Sequence, residues 1–557
     1  MANRQTIIPI RSSNISDSKP FIAVGYILVF ALCIPLFFIG LGCPPLIDPD
    51  EPVYAATGRT MLLSHRFADW WSPHYNGALW FDKPPMTYWL IGLSMKAFGP
   101  TALAARIPSA ICALLLTALT VYLANRFWPR TVSAGIWAAA AIATSLQTLV
   151  LARAAVTDMI LAVFLTTAVI GMWNWLNDER ETGWLLAAGM ATGLATLTKG
   201  PVAIVLVGGC VLFFLLLTRQ ASRILTPSLW LSLLISIVIA LPWYLSMIHL
   251  HGSLFITGFL EANNLTRYLK PEHPQTSSAL WFLPVLLGFI FPWTAPLLLS
   301  LKSAWGASVK GDRASLFALV WIAWVFIFFS ASQTKLLTYI YPLYPLAACL
   351  IGRWIDEEPT RNGRVACGIV FAIVAALIAV ILPGYVSRGN GLTSARSVLE
   401  QIDLVFAVSA VLALVSLTKF FDTQHLRRQA VFAVPVAAMA LFFPLVALAS
   451  VWKHDLPDLA LIQMAGYIKD QTPPNRPTIA LGLKRQSLVF YSSRPIIFTD
   501  DRQAAANYMK ASPYPFCALK ISNNEDVLGE LEKYLPPDHC KIVLHSGLKY
   551  VLIKYQP

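Results

Sequence analysis

The sequence predicts an all-α polytopic membrane domain followed by a small C-terminal α/β domain. Three observations carry that prediction. Of 557 residues, 57% are hydrophobic and only 13% charged, against about 25% charged in a soluble domain. Apolar runs of about 20 residues, the length that crosses a bilayer as helix, recur from residue 21 to residue 452. From about Lys453 the composition turns soluble and alternates strand-like and helix-like segments. The net charge of +13 would suggest nucleic acid in a soluble chain; here it fits cytoplasmic loops rich in Lys and Arg, and no nucleic-acid partner is expected.

The first run, 21–42, follows a polar head carrying Arg4, Arg11 and Lys19. Its length and the missing small-residue cleavage site make it a retained anchor helix rather than a signal peptide. Further runs lie at 102–126, 131–150, 155–176, 184–198, 200–218, 227–249, 279–301, 314–331, 337–354, 365–386, 403–418 and 429–452, about thirteen spans in all. Three of them (184–198, 314–331 and 403–418) are short. With the N-terminus inside, the cytoplasmic connections collect Arg126, Arg130, Arg180, Arg219, Arg223, Lys302, Lys310 and Arg313, and later Arg353, Arg361, Arg364, Lys419, Arg427 and Arg428. This satisfies the positive-inside rule, and the opposite orientation violates it at nearly every loop. An odd number of spans puts the C-terminal segment outside.

The first outer loop then covers 43–101, within a membrane domain of residues 1–452. Inside it "PMTYWLIGLSMKAFG", interrupted by Lys96, is too short to span and reads as a helix at the interface. A second outer loop runs from about Leu250 to Ser278. In the C-terminal domain, 453–557, "RPTIALGL" and "SRPIIFTD" read as strands and "EDVLGELEKYL" as a helix. "CKIVLHSGLKYVLIKY" reads as two strands turning at Ser546-Gly547. The eight cysteines form no CxxC or zinc spacing. Cys517 and Cys540 are the only pair in a soluble segment, where a disulfide is one alternative.

Charges at the outer edge are the candidates for chemistry. Arg153 ("LARAAVTD"), Lys199 ("LTKGP") and Lys335 ("SQTKLLTYI") each stand at the outer end of an apolar span, while Lys83, Arg267 and Lys270 lie in the long outer loops. Convergent cations suit a lipid phosphate or pyrophosphate; taken singly, each is better explained by snorkelling to headgroups. Asp50 and Glu51 in "DPDEPVY" either cap a helix N-terminus or orient and activate an acceptor, bind an amine or hold a metal. Asp82-Lys83-Pro84-Pro85 is either a rigid corner or an extended, fixed site. Asp158 ("AVTDMI") is a partner for Arg153 or Lys199, and His273 ("KPEHPQ") is a solvated loop histidine or a metal ligand.

These motifs resemble a known family. "DEPVYAATGRTML", "FDKPPMTYWL", "TKGP", "NNLTRYL…LWFLPVLLGFIFPW", "TKLLTYI" and the terminal "YVLIKYQP" follow the order found in bacterial 4-amino-4-deoxy-L-arabinose lipid A transferases. Those enzymes are relatives of the protein O-mannosyltransferases within the GT-C membrane glycosyltransferase fold. The resemblance implies transfer of a sugar from an undecaprenyl phosphate carrier to lipid A or another glycan, at the periplasmic face of the bacterial inner membrane. It implies that Asp50 is catalytic with Tyr54 and Lys83 as its neighbours, that Lys199, Arg267, Lys335 and Tyr339 surround the carrier phosphate and sugar, and that Asp158 is the acid of the third outer connection. Glu51 and Arg153 join the expected substrate-binding residues by their own position at the outer edge. The family's Asp-Glu-x-Arg-Tyr reads Asp-Glu-Pro-Val-Tyr here, its Glu-Lys-Pro reads Asp82-Lys83-Pro84, and its Glu-His-x-x-Arg reads Asn263-Asn264-Leu265-Thr266-Arg267. If a divalent metal is bound, Asp82 and His273 are the remaining candidate ligands.

The chemistry suits such a site. A polyprenyl phosphate leaving an anomeric carbon separates oxocarbenium-like charge from a phosphate gaining negative charge, and Lys and Arg aimed at that phosphate favour the transition state over the ground state. The alternatives are the same donor with a core glycan or protein acceptor, a lipid-linked sugar transporter, or an assembly subunit. A transporter favours polar residues mid-span, whereas the charges here gather at the outer edge.

Overall fold

The computed structural model describes residues 15–43, 45–63, 67–131, 133–178, 182–271, 277–357, 359–387, 432–439, 457–520, 531, 533–535, 539–546 and 550–556. Helix dominates up to residue 387. The chain runs through α1 (Ile15–Phe38), α2 (Asp50–Leu63), α3 (Phe67–Trp71), a two-residue hairpin of β1 (His74–Tyr75) and β2 (Ala78–Leu79), and α4 (Met86–Phe98). There follow α5 (Ala102–Phe127), α6 (Ala134–Thr144), α7 (Leu146–Ala152), α8 (Thr157–Asn177), α9 (Thr182–Lys199), α10 (Val202–Leu217) and α11 (Pro227–His251). After α12 (Ser253–Phe255), a π-helical stretch Ile256–Thr266 and α13 (Arg267–Leu269) come α14 (Phe282–Phe289), α15 (Thr294–Val309), α16 (Arg313–Ala331), α17 (Tyr344–Asp356) and α18 (Arg361–Ser387).

Among the described residues four helices, α5, α8, α11 and α16, are long and apolar enough to cross a membrane, or six spans if each bent pair counts as one. The pairs are α6–α7, bent by 64°, and α14–α15, bent by 112°. The second bend falls at Phe291-Pro292, inside the run expected to be a continuous span at 279–301. The run at 337–354 begins helix only at Tyr344, because Pro342 and Pro345 fit the first turn of a helix and not its interior. The second outer loop is largely helical, through α11, α12 and the π-helical stretch. Of the last two runs, 403–418 lies outside the described residues, as does 429–452 except for helical residues 432–439.

Local chemistry sets several helix starts. Thr101 accepts the Ala104 amide at α5, 3.1 Å, and Asp312 accepts the Ala314 and Ser315 amides at α16, each meeting donors that the first helical turn leaves open. Two helix crossings depend on missing side chains. A Cβ on Gly171 would stand 2.4 Å from the Trp184 carbonyl of α9, and one on Gly352 2.2 Å from the Ala134 carbonyl of α6. Such small-residue contacts let helices approach without a gap. The main core fills the space among these helices, with Trp175, Trp293 and Trp321 fully buried.

The C-terminal segment contributes α19 (Pro457–Gln471), β3 (Thr478–Leu481), α20 (Ser487–Ser492), β4 (Ile496–Thr499), α21 (Arg502–Ala511), β5 (Phe516–Lys520), β6 (Cys540–Ser546) and β7 (Tyr550–Tyr555). The sheet order is β4-β3-β5-β7-β6, parallel across β4, β3 and β5 and antiparallel beyond. The strands expected from "RPTIALGL", "SRPIIFTD" and "CKIVLHSGLKYVLIKY" are present, and β5 joins them. The turn at Gly547 and most of the "EDVLGELEKYL" segment lie outside the described residues. Cys517 on β5 and Cys540 on β6 are not bonded to each other; β7 runs between them, and two strand spacings, about 9–10 Å, exceed disulfide reach.

One apolar cluster joins this module to the first loop. It includes Leu46, Tyr54, Tyr88 and Met95 together with Met464, Phe490, Ile496 and Phe516.

Candidate active site

Where α2 begins, Asp50 and Glu51 occupy its first turn, a place that favours negative charge because the backbone N–H groups there lack helical partners. Pro52 fits the same turn, where its missing N–H costs nothing. The two neighbours then part. Asp50 is exposed to a cavity of about 400 Å³ whose lining includes Tyr54, Trp80, Asp82, Arg267 and Gln486.

Glu51 is 3% exposed. Its carboxylate accepts from Arg106 Nε (2.8 Å) and Nη2 (2.6 Å), and from the amides of Ile47 (2.8 Å) and Ala155 (2.7 Å). Arg106 also donates to the Leu41 and Pro45 carbonyls. The sequence places Glu51 with the substrates; the structure buries it in an ion pair that fixes the N-terminus of α2 against α5 and the start of α8.

Around the cavity, Asp82 Oδ1 accepts from Lys83 Nζ at 3.1 Å and from Arg267 Nη1 at 3.2 Å. Lys199 Nζ stands 2.5 Å from Asp158 Oδ1 and 4.7 Å over the Tyr339 ring. Burial raises the Asp50 pKa, and the carboxylates of Asp158 and Asp82 push it the same way against the pull of Lys83 and Arg267. Burial lowers the Lys83 pKa, with Asp82 opposing and Arg267 and Lys199 adding to the fall. Asp50, Asp82, Lys83, Asp158, Lys199 and Arg267 thus form one electrostatic neighbourhood. Tyr54, buried and tilted against Tyr88 with ring centroids 5.5 Å apart, forms its floor.

Arg267 is placed by its surroundings. Asn263 donates to the carbonyls of Phe81 (3.0 Å) and Gly258 (2.8 Å), tying the π-helical stretch to the loop that carries Asp82. The amides of Gln333 and Thr334 donate to the Tyr268 and Arg267 carbonyls. Lys335, 2% exposed, donates to the Ser277 carbonyl at 2.9 Å and to that of Ser332. Its ammonium is taken up by backbone carbonyls, and burial lowers its pKa. Arg153 likewise donates to a backbone carbonyl, that of Leu36, at 3.1 Å beside Arg106.

Among the described residues the donors present do not assemble a divalent-metal site. Two cations already face Asp82, and Asn264 donates to the Phe259 carbonyl at 2.7 Å. Among the described residues no three His, Cys, Asp or Glu side chains come together. His273 lies outside the described residues.

Residues 82–245 match the family dolichyl-phosphate-mannose-protein mannosyltransferase. A curated protein of Pectobacterium carotovorum subsp. carotovorum, named undecaprenyl phosphate-alpha-4-amino-4-deoxy-L-arabinose arabinosyl transferase, is 30% identical over 383 residues, covering 66% of this chain and 67% of the relative. The chain belongs to this arabinosyl transferase family. A member from Edwardsiella ictaluri extends the likeness, at 25% identity, to 96% of this chain and 99% of its own length. The transferase is a membrane glycosyltransferase. Its fold matches the crystal structure of ArnT from Cupriavidus metallidurans bound to undecaprenyl phosphate, with a TM-score of 0.79, 24% identity, and 95% and 98% of the two chains covered. The apo Archaeoglobus fulgidus oligosaccharyltransferase shares the architecture more distantly, with a TM-score of 0.51 at 12% identity over 93% of this chain and 69% of that one.

Sequence reasoning missed two residues. Arg106 sits in the apolar context "AARIPSA" and looks like one more cation near a membrane edge. Gln486 lies in the soluble segment, 411 positions from its partner Tyr75, with no local signal to mark it.

Proposed function

We propose that this transferase moves 4-amino-4-deoxy-L-arabinose from undecaprenyl phosphate to lipid A, at the periplasmic face of the bacterial inner membrane. One observation carries the reading: Asp50 faces a cavity that also holds Arg267, within the electrostatic neighbourhood of Lys83 and Lys199. An acceptor oxygen attacks the anomeric carbon. The bond to the carrier phosphate breaks, and its electron pair leaves with undecaprenyl phosphate. Negative charge grows on that phosphate, where Lys83, Arg267 and Lys199 stabilise it; losing one such donor costs about a hundred- to a thousandfold in rate. A lipid A phosphate is already ionised at neutral pH, so Asp50 orients the reactants or holds the sugar's amine. With a hydroxyl acceptor it is the general base.

The thirteen spans and the outward C-terminal module belong to the same reading, supported by the cations gathered on the inner connections. Full-length protein supplied with undecaprenyl phosphate-linked aminoarabinose and lipid A yields, on this reading, a glycolipid heavier by one aminopentose in mass spectrometry. D50N abolishes the product at normal expression. Wild-type turnover by D50N refutes the site. Because residues 82–245 match a protein-mannosyltransferase family, a protein hydroxyl is the rival acceptor; a product on added peptide but not on lipid A favours it.

A further inference from the structure

Among the described residues the C-terminal module reaches the cavity at Gln486. Gln486 lines it beside Asp50, Asp82 and Arg267, and its Oε1 accepts the Tyr75 hydroxyl. Several contacts lock this point. Asp48, two residues before Asp50, accepts the Ser487 amide at 2.8 Å and its hydroxyl at 2.6 Å, with Arg485 Nη1 at 3.6 Å. The Asn76 side-chain amide donates to the Ile496 carbonyl at 2.9 Å and accepts the Ile496 N–H at 2.8 Å. Leu46 donates to the Tyr491 hydroxyl at 2.9 Å, and Arg59 donates to the Ser493 hydroxyl at 2.8 Å. Gln486 is therefore held at the cavity wall from both chain directions, as preorganised binding groups are.

Tyr75 occupies the oxygen, and among the described residues the amide N–H groups meet no acceptor. A neutral donor here has a specific use. Asp50 and Asp82 make this part of the cavity acidic, and an approaching anion meets Gln486 without the repulsion that a carboxylate would add. The known cations all belong to the membrane module; Gln486 is the cavity's contribution from the other one.

We propose that Gln486 is an acceptor-binding residue, donating its side-chain amide to a phosphate oxygen of the lipid A acceptor. The inference rests on the transfer reading above. The carrier phosphate is left to Lys83, Arg267 and Lys199, so the two anionic substrates are recognised by different modules of one chain.

The test is steady-state kinetics of full-length Q486L and Q486E with undecaprenyl phosphate-linked aminoarabinose and lipid A, each varied in turn. Loss of a hydrogen bond to a charged group predicts an acceptor KM raised about ten- to a hundredfold in Q486L. Q486E, isosteric with the wild type, raises it at least as far. Q486L leaves donor KM within about twofold of the wild type, since no cation is removed and no charge is added. Acceptor KM unchanged in Q486E, whose shape preserves packing, overturns the inference even if Q486L fails to fold; so does a rise confined to donor KM. Wild-type protein that puts no sugar on lipid A overturns the transfer reading itself. Wild-type transfer with acceptor KM unmoved in the variants overturns only the role of Gln486.

Discussion

Glu51→Ala is the sharpest test of how this site is built. The substitution removes a carboxylate that accepts four hydrogen bonds of 2.6–2.8 Å and leaves the guanidinium of Arg106, 1% exposed, without its counter-ion. Removing one partner of a buried pair costs about 3–5 kcal/mol, because the surviving charge stays desolvated. The Ile47 and Ala155 amides lose their acceptor as well, and each buried unsatisfied donor costs about 1–3 kcal/mol where water cannot replace it. The expected loss is therefore at least about 3 kcal/mol, concentrated where α2, α5 and α8 meet. In detergent, E51A melts several degrees below the wild type and is cut faster by protease in the first loop. D50N, one position earlier but facing the cavity, melts with the wild type while losing transfer. E51L/R106M, which removes both charges, recovers part of the stability lost by E51A. If E51A melts with the wild type, the buried pair does not organise α2 and the assignment of Glu51 as scaffold is wrong.

Three other outcomes follow from the same geometry. The pH profile of transfer should be narrowed from both sides. The raised Asp50 pKa means that activity falls, as pH drops, sooner than for an ordinary aspartate; the lowered Lys83 pKa means that it falls, as pH rises, sooner than for an ordinary lysine. K83R, whose guanidinium stays protonated, should extend the alkaline limb if it retains activity, and an unmoved limb would assign that limb to another group. K335M should lower transfer and melting temperature together, because it removes the bonds to the Ser277 and Ser332 carbonyls beside Thr334, whose amide holds the Arg267 carbonyl; a fall in transfer with unchanged melting would instead place Lys335 at the substrate. R153A should keep transfer within about threefold of the wild type, since its guanidinium is bound to the Leu36 carbonyl; loss of about a hundredfold would return it to the substrates.

Helices and the strands β3, β4, β6 and β7 were legible because hydropathy period and turn residues are local properties; β5 and the mixed order of the sheet were not. Edge cations were legible too, since charge at the end of an apolar run is visible in one dimension. The roles of Asp50 and Glu51 were not: adjacent residues on a helix point about 100° apart, and Arg106, 55 positions on, decides which of them is buried. The same blindness left Arg106 unnoticed. The bends at Pro292 and ahead of Tyr344 broke runs that hydropathy read as continuous, because proline acts on geometry without lowering apolar content.

Asp48 and Ser487 stand 439 positions apart in the chain, yet their bond fixes the neighbouring residues Pro49 and Gln486, which line the chamber. A nascent polypeptide that has inserted every earlier helix still has that side open to solvent. On the proposed reading, full turnover therefore waits for the final segment to be made and docked.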